Sequence, residues 1–248
     1  MTAAFPVFAV VLAAALLSIA VYGLLPRRDA DADRRGSRFL LGLGDFLLHW
    51  FLWAIGPAER AALRLGLTPS GLNATGLGLG ILGGLFIGFG GLELGGWAIV
   101  LSGVCDVLDG RIARARSLTS AYGKFMDSTL DRFVEAFTFL GFAAYLRHRP
   151  WGSFMATAAL AGSLLVSYAQ SRGETVGVTG AGGLMQRGER LLLICLACLV
   201  DPTLTLWRAQ PEGTIVVWVL AFIAVATFGT AIYRTAWIAG RLRGHGDP

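Results

Sequence analysis

Four aspartates stand at short fixed intervals in an otherwise apolar stretch of this chain. A carboxylate near hydrocarbon costs about 2.5–3.5 kcal/mol on insertion scales, so several close together require compensation. Asp106 and Asp109 are i and i+3, and therefore share one face of a helix. Asp127 and Asp131 are i and i+4, and share one face of a second helix. Two such helices facing each other would bring four carboxylates together.

Four negative charges balance two divalent cations, and carboxylate oxygens suit Mg²⁺, Mn²⁺ or Ca²⁺. A pair of cations can clamp the attacking and leaving oxygens of a phosphoryl displacement. Zinc is disfavoured, because the histidines are scattered and Cys195 and Cys198 are interpreted as small buried residues of an apolar helix. The sequence therefore predicts a site for two cations, Mg²⁺ or Mn²⁺.

The segment from Asp106 to Asp131 has the pattern D-x2-D-G-x2-A-R-x8-G-x3-D-x3-D. This pattern resembles the signature of the CDP-alcohol phosphatidyltransferases at every fixed position, and the resemblance covers about residues 67–241. It implies an enzyme that transfers a phosphatidyl-type group from a CDP-linked lipid, CDP-diacylglycerol, to a small polar alcohol and releases CMP. It also implies a homodimer.

Site roles follow from the same resemblance. It implies that Asp106, Asp109, Asp127 and Asp131 hold the metal ions, and that Asp131 is also the base on the acceptor hydroxyl. The positions that it implies for the CDP group are Gly110, Ala113, Arg114 and Gly123.

A second short pattern of the family, T-P-N-x-[LV]-T, is only partly kept. Thr68 and Pro69 match, while Ser70 stands for Asn and Asn73 for Thr. Ser70 and Asn73 either exchange roles in binding the nucleotide, or Pro69 merely starts a helix.

The acceptor is indicated by two further stretches, residues 167–174 and 187–191. They are similar to the S-Y-x-K-A-R-x-E and E-R-x-E-R-L stretches of bacterial phosphatidylinositol-phosphate synthases, with Gln170 in place of Lys and Gln186 in place of Glu. Arg172, Arg187 and Arg190 would then form a basic pocket for a phosphorylated polyol such as inositol 1-phosphate. Alternatively, these arginines only enforce membrane topology, and the acceptor is glycerol 3-phosphate, serine or free inositol.

Composition predicts an all-α, polytopic membrane protein. Of 248 residues, 55% are hydrophobic and 15% charged, and the mean hydropathy is +0.63. The basic residues lie beside apolar segments, where anionic headgroups explain them, so we expect membrane lipids as partners and no nucleic acid. The six core spans are predicted at residues 72–90, 95–112, 122–145, 151–170, 191–200 with flanks, and 215–238.

Three regions are predicted. Residues 1–36 form an extra N-terminal transmembrane anchor at residues 5–25 and a charged linker, and residues 37–66 form an interfacial amphipathic helix, broken at Gly56-Pro57. An eighth span is the alternative for that helix. Residues 67–248 form the phosphatidyltransferase domain, whose first span carries Gly76, Gly80, Gly84 and Gly88 as a face for close helix packing, or else as a binding groove.

Loop charges predict the orientation. All Lys and Arg residues except Arg147, Arg149 and Arg208 fall on one side, which the positive-inside rule places in the cytoplasm. The active site then faces the cytoplasm, as in an enzyme of a bacterial-type inner or plasma membrane. An ion or proton transporter is the alternative from another class, because intramembrane aspartates are its hallmark as well.

Overall fold

A computed structural model of the protein describes residues 5–24, 43–183 and 185–243. These residues form helices joined by turns, with no strand among them. In chain order the helices are α1 (Phe5–Leu24), α2 (Leu43–Ala54), α3 (Gly56–Arg64), α4 (Pro69–Gly88), α5 (Leu92–Ala115), α6 (Ala121–Tyr145), α7 (Gly152–Thr175), α8 (Arg187–Trp207) and α9 (Thr214–Arg243). The prediction of an all-α fold is confirmed.

Four of the described helices, α4, α7, α8 and α9, are long and apolar enough to cross a membrane. Helices α5 and α6 have 24 and 25 residues, a sufficient length, but their charged residues lower their hydropathy. The protein is thus an integral membrane protein by helix length and composition.

Several helices are longer than the apolar segments that predicted them. Helix α7 continues five residues past Gln170, and α9 continues five residues past Ile238. The helical backbone hydrogen bonds continue through these more polar ends. A prediction based on apolar residues alone therefore ends before the helix does.

The predicted interfacial helix is broken where the sequence indicated. Helix α2 ends at Ala54 and α3 begins at Gly56, with Pro57 in its first turn. The described parts of these two helices have 12 and 9 residues. The charged linker and residues 37–42 lie outside the described residues.

The chain divides into two compact units. The first comprises Met1–Gly76 and Gly103–Asp127, and its core consists of Leu52, Ile55, Ala62, Leu72, Leu108 and Ile112. Helix α1 packs on α2, where Trp50 Nε1 donates to Ser18 Oγ at 3.0 Å. Arg111 on α5 donates to Glu59 on α3 at 2.5 Å, which fixes α3 beside the end of α5 that carries the aspartates.

The second unit comprises Leu77–Ser102 and Ser128–Pro248. Helix α9 packs against both α7 and α8. The core includes Phe139 and Phe142 of α6, Ile194 of α8 and Ile223 of α9, each at most 4% exposed.

The glycine face of α4 packs on α6 within this second unit. A Cβ at Gly84 would overlap the backbone of Phe137, and one at Gly80 would lie 2.6 Å from the Val134 methyl groups. A Cβ at Gly141 of α6 would likewise overlap the backbone of Gly84. Gly80 and Gly84 therefore serve helix packing rather than a binding groove.

Candidate functional site

Three of the four predicted aspartates come together in the first unit. Asp106, Asp109 and Asp127 each offer a carboxylate oxygen, and these oxygens lie within 4.8 Å of one another. Asp109 is buried at 4% exposed, and the other two are half-buried. The spacing that predicted a shared face for Asp106 and Asp109 on α5 is realised in the folded chain.

A tight reversal between α5 and α6 brings Asp127 to the other two. Ser117, two residues after the end of α5, is left-handed with φ of 57°, and Leu118 donates its N–H to Ala113 O at 2.8 Å. Ser120 then caps α6, because its Oγ accepts the Gly123 N–H at 3.0 Å. One short turn thereby sets the aspartate-bearing ends of two helices side by side.

The donor set fits a hard divalent cation. Three carboxylate oxygens at this separation repel one another unless a cation lies among them. Mg²⁺ and Mn²⁺ prefer such oxygen ligands, and no histidine or cysteine belongs to the group.

The predicted nucleotide residues also lie in the first unit. Arg114 folds over Gly110, where a Cβ would lie 3.5 Å from its Nη1. Pro69 is the first residue of α4, and Thr68 Oγ1 accepts the Gly71 N–H at 3.1 Å, so Thr68 caps the start of this helix. Ser70 is exposed and Asn73 half-buried in the first turns of α4, and Ala113 is half-buried on α5.

Asp131 lies in the second unit and is not one of the three clustered aspartates. Its Oδ1 forms an ion pair with Arg187 Nη2 of α8 at 2.6 Å. The structure thus brings a predicted base and a predicted acceptor cation together.

One helical turn further along α6, Glu135 forms a second pair with α8. Arg190 Nη2 and Nε donate to Glu135 Oε1 at 2.5 and 3.0 Å, and Nη1 donates to the carbonyl of Met185 at 3.3 Å. Arg190 is 2% exposed. Since its guanidinium is enclosed and bonded, the geometry favours a structural role over the predicted contact with acceptor.

A cavity of about 150 Å³ opens elsewhere in the second unit. Its lining residues are Gln170, Glu174, Val178, Thr179, Gly180, Ala181, Gln186, Arg234 and Ile238. None of the three arginines predicted for the acceptor lines it, although Arg172 is exposed in the last turn of α7.

Arg234 and Glu135 were not predicted from the sequence. Arg234 is 5% exposed and donates to the carbonyls of Val166 and Gly182. The sequence alone could have identified Arg234, because it is an isolated cation within the long apolar segment of α9. Charges in such a position mark functional or tightly paired groups.

The fold and the aspartate cluster define a class, the helical membrane proteins with a carboxylate site for divalent cations. Residues 76–228 match the family model for CDP-alcohol phosphatidyltransferase. The chain belongs to the CDP-alcohol phosphatidyltransferase family, and is an enzyme of that class rather than an ion or proton transporter.

The chain is similar to two synthases of inositol phosphate lipids. The chain is 30% identical over 186 residues to the phosphatidylinositol phosphate synthase of Mycobacterium marinum, covering 73% of this chain and 78% of that one. It is 33% identical over 156 residues to the archaetidylinositol phosphate synthase of Methanothermobacter thermautotrophicus, covering 62% and 74%.

Solved structures of a phosphatidylinositol phosphate synthase are also similar to this chain. The phosphatidylinositol phosphate synthase of Mycobacterium tuberculosis with CDP-DAG bound superposes with a TM-score of 0.64 at 28% identity, over 73% of this chain and 92% of that one. The same enzyme in complex with manganese and citrate gives a TM-score of 0.65 at 27% identity, over 73% and 87%.

Proposed function

We propose that this protein transfers a phosphatidyl group from CDP-diacylglycerol to a phosphorylated polyol, with inositol 1-phosphate as the first choice, and releases CMP. The observation that carries the proposal is the cluster of Asp106, Asp109 and Asp127 within 4.8 Å, on the residues that match the family pattern. The similarity to phosphatidylinositol phosphate and archaetidylinositol phosphate synthases supports an inositol phosphate as the acceptor.

Divalent cations are the proposed cofactor, Mg²⁺ or Mn²⁺. Asp106, Asp109 and Asp127 would hold them, and the resemblance adds Asp131 as a further ligand for a pair of cations. When bound, such cations neutralise charge on the pyrophosphate of a CDP-linked lipid. Gly110, Ala113, Arg114, Gly123, Ser70 and Asn73 are proposed to bind the CDP group.

Asp131 is proposed as the general base. A base must lie within hydrogen-bond reach of the proton that it takes. As Asp131 takes the proton of the acceptor hydroxyl, that oxygen forms a bond to the β-phosphorus, and the bond from this phosphorus to the CMP oxygen breaks. The products are the phosphatidylated acceptor and CMP.

Arg187 is proposed to link the acceptor to this base. Its pairing with Asp131 at 2.6 Å places a guanidinium beside the base, where it could also meet an acceptor phosphate. Arg172 stays a proposed acceptor contact, and Arg190 is reassigned to holding α6 and α8 together through Glu135.

The membrane arrangement is proposed to have six core spans, α4 to α9, preceded by the anchor α1 and the interfacial helices α2 and α3. In this arrangement α5 and α6 are spans whose charged ends reach the cytoplasmic surface. The active site then faces the cytoplasm of a bacterial-type membrane, and the family resemblance supports a homodimer.

The test uses purified protein with CDP-diacylglycerol and Mg²⁺ or Mn²⁺. Release of CMP should depend on an acceptor, with inositol 1-phosphate preferred over glycerol 3-phosphate, serine and free inositol. Activity with free inositol alone would keep the enzyme class and refute the phosphorylated acceptor. No CMP release with any of the four would refute the proposed function.

A further inference from the structure

Helix α3 is bonded to the end of α5 that carries two of the clustered aspartates. Glu59, in the first turn of α3, accepts from Arg111 Nε at 2.5 Å. The two side chains are only 17% and 21% exposed, so water and salt screen this pair less than an ion pair on the surface. The pair therefore holds α3 against α5 more firmly than an exposed contact would.

Arg116 binds the other end of α3. Its Nη1 donates to the carbonyl of Leu67 at 3.0 Å, and its Nη2 donates to the carbonyl of Leu63 at 3.2 Å. A cation at these carbonyls also complements the negative end of the helix dipole. Arg111 in α5 and Arg116 directly after it therefore bind α3 near both of its ends.

The same part of α5 presents two of the carboxylates. Asp109 lies two positions before Arg111, and Ile112 belongs to one hydrophobic core with Ala62 of α3. If this end of α5 rotated, its carboxylates would shift relative to Asp127 of α6. Because the ligands of a metal must be held within about 0.5 Å of the productive geometry, the contact with α3 bears on cation binding.

The family pattern does not account for this ion pair. The pattern D-x2-D-G-x2-A-R leaves the position of Arg111 open, so the proposed metal and nucleotide residues do not require a cation there. Its partner Glu59 lies outside the matched residues 76–228. The resemblance to the family therefore assigns no role to either residue of the pair.

We infer that Glu59 is a positioning residue for the proposed cation site, and that it acts through Arg111 to hold the carboxylates of α5 beside Asp127. Glu59 is not one of the three clustered carboxylates, so its effect on a cation is indirect. Loss of a group that orients metal ligands costs about 10–100-fold in metal affinity. This inference rests on the proposed function and its divalent cation, and adds the helix that orients the ligands.

The experiment measures binding of Mn²⁺ to the full-length, detergent-purified protein by titration calorimetry, without substrate. It compares wild type with Glu59→Gln, Arg111→Gln and the double variant. Glu212→Gln is the matched control, because it makes the same chemical change at an exposed position before α9. The concentration of Mn²⁺ that gives half-maximal CMP release is measured in parallel.

The signs of the two single effects separate positioning from simple electrostatics. Loss of a nearby carboxylate alone would weaken cation binding, whereas loss of a nearby guanidinium alone would strengthen it. Positioning requires both single variants to weaken Mn²⁺ binding by about tenfold, and the double variant to lose no more than a single one. Glu212→Gln should bind Mn²⁺ as wild type does. Opposite signs in the two single variants, losses that multiply in the double variant, or unchanged binding would overturn the inference.

Further measurements cover a variant that does not fold and a pair that is only structural. If Glu59→Gln cannot be purified, Glu59→Asp keeps the charge and shortens the side chain, and wild-type Mn²⁺ affinity in that variant would overturn the inference. A lower melting temperature of Glu59→Gln with unchanged Mn²⁺ affinity would show a purely structural pair, and would overturn it as well. Wild type that binds Mn²⁺ but releases no CMP with any acceptor would instead refute the proposed function, because Mn²⁺ binding does not depend on turnover.

Discussion

Asp109 is the most buried of the three clustered aspartates and directly precedes Gly110, a residue of the proposed CDP site. Its position at 4% exposed leaves little water to screen its repulsion from Asp106 and Asp127. A cation is the group that relieves this repulsion, so the cluster connects metal binding with the local stability of the helix ends.

The carboxylate cluster gives the first prediction, which concerns removal of the metal. Excess EDTA should abolish CMP release, and Mg²⁺ or Mn²⁺ should restore it, because the clustered carboxylates need a counter-charge to hold the pyrophosphate. Asp109→Asn should lose activity and weaken binding of both metal and nucleotide, as followed by titration calorimetry. Full activity in excess chelator would show that the carboxylates work without a cation.

Asp131 gives the second prediction. Asp131→Asn should lower kcat by roughly 10²–10⁴-fold, the usual contribution of general base catalysis, while binding of CDP-diacylglycerol is partly kept. Steady-state kinetics and equilibrium lipid binding separate the two effects. Near-normal turnover in this variant would mean that another group takes the proton.

Arg190 gives the third prediction. Removal of its side chain in Arg190→Ala leaves Glu135 as a buried charge without its main partner, which costs about 3–5 kcal/mol. The melting temperature of the detergent-purified protein should fall sharply, whereas exposed Arg172→Ala should change it little. An Arg190→Ala variant of normal stability with a raised acceptor KM would restore the acceptor role first predicted.

The contrast between Asp109 and Arg190 shows what sequence can predict at single positions. Asp106 and Asp109 are close in sequence, so helical periodicity alone gives their shared face. Glu135 and Arg190 are 55 positions apart, and no local pattern links them. The arginine therefore reads as one more cation of a basic segment, and only the packing of α6 on α8 reveals its partner.

At the scale of elements, the apolar runs predicted where helices lie, and the break before Pro57 was readable as well. The ends of α7 and α9 were not, because hydropathy stops at the apolar boundary while backbone hydrogen bonding continues. The stripe of glycines on α4 predicted close packing, but it could not identify α6 as the partner.

The glycine contact gives the fourth prediction. Gly84→Ala would push a methyl group into the backbone of α6, and overpacking of this kind costs about 1–3 kcal/mol or more. Gly78→Ala on the same helix meets no atom within 4 Å, and should be neutral or slightly stabilising. Thermal unfolding of both variants checks this, and equal stabilities would place the tight contact elsewhere.

In the molecule as a whole, the residues proposed to bind substrates and to catalyse the reaction are divided between the two units. The first holds the clustered aspartates and the proposed nucleotide residues, and the second holds Asp131, Arg187 and the cavity with Arg234. The family match at residues 76–228 begins after α1, α2 and α3.

The fifth prediction concerns orientation in the membrane. Because basic loops stay in the cytoplasm, a reporter active only outside it should be active when fused after Arg149 or Arg208. The same reporter should be silent after Ala181 or Arg243. Reporter activity after Ala181 would mean that the topology is the reverse of the one proposed, with the active site outside the cytoplasm.

The buried pair of Glu135 and Arg190 also bears on how the chain is made. As a span, α6 would carry Glu135 into hydrocarbon at a cost of about 2.5–3.5 kcal/mol, before Arg190 exists. Arg190 is synthesised 55 residues later, on α8. The contact that holds α6 and α8 together through this pair can therefore form only after the ribosome has completed α8.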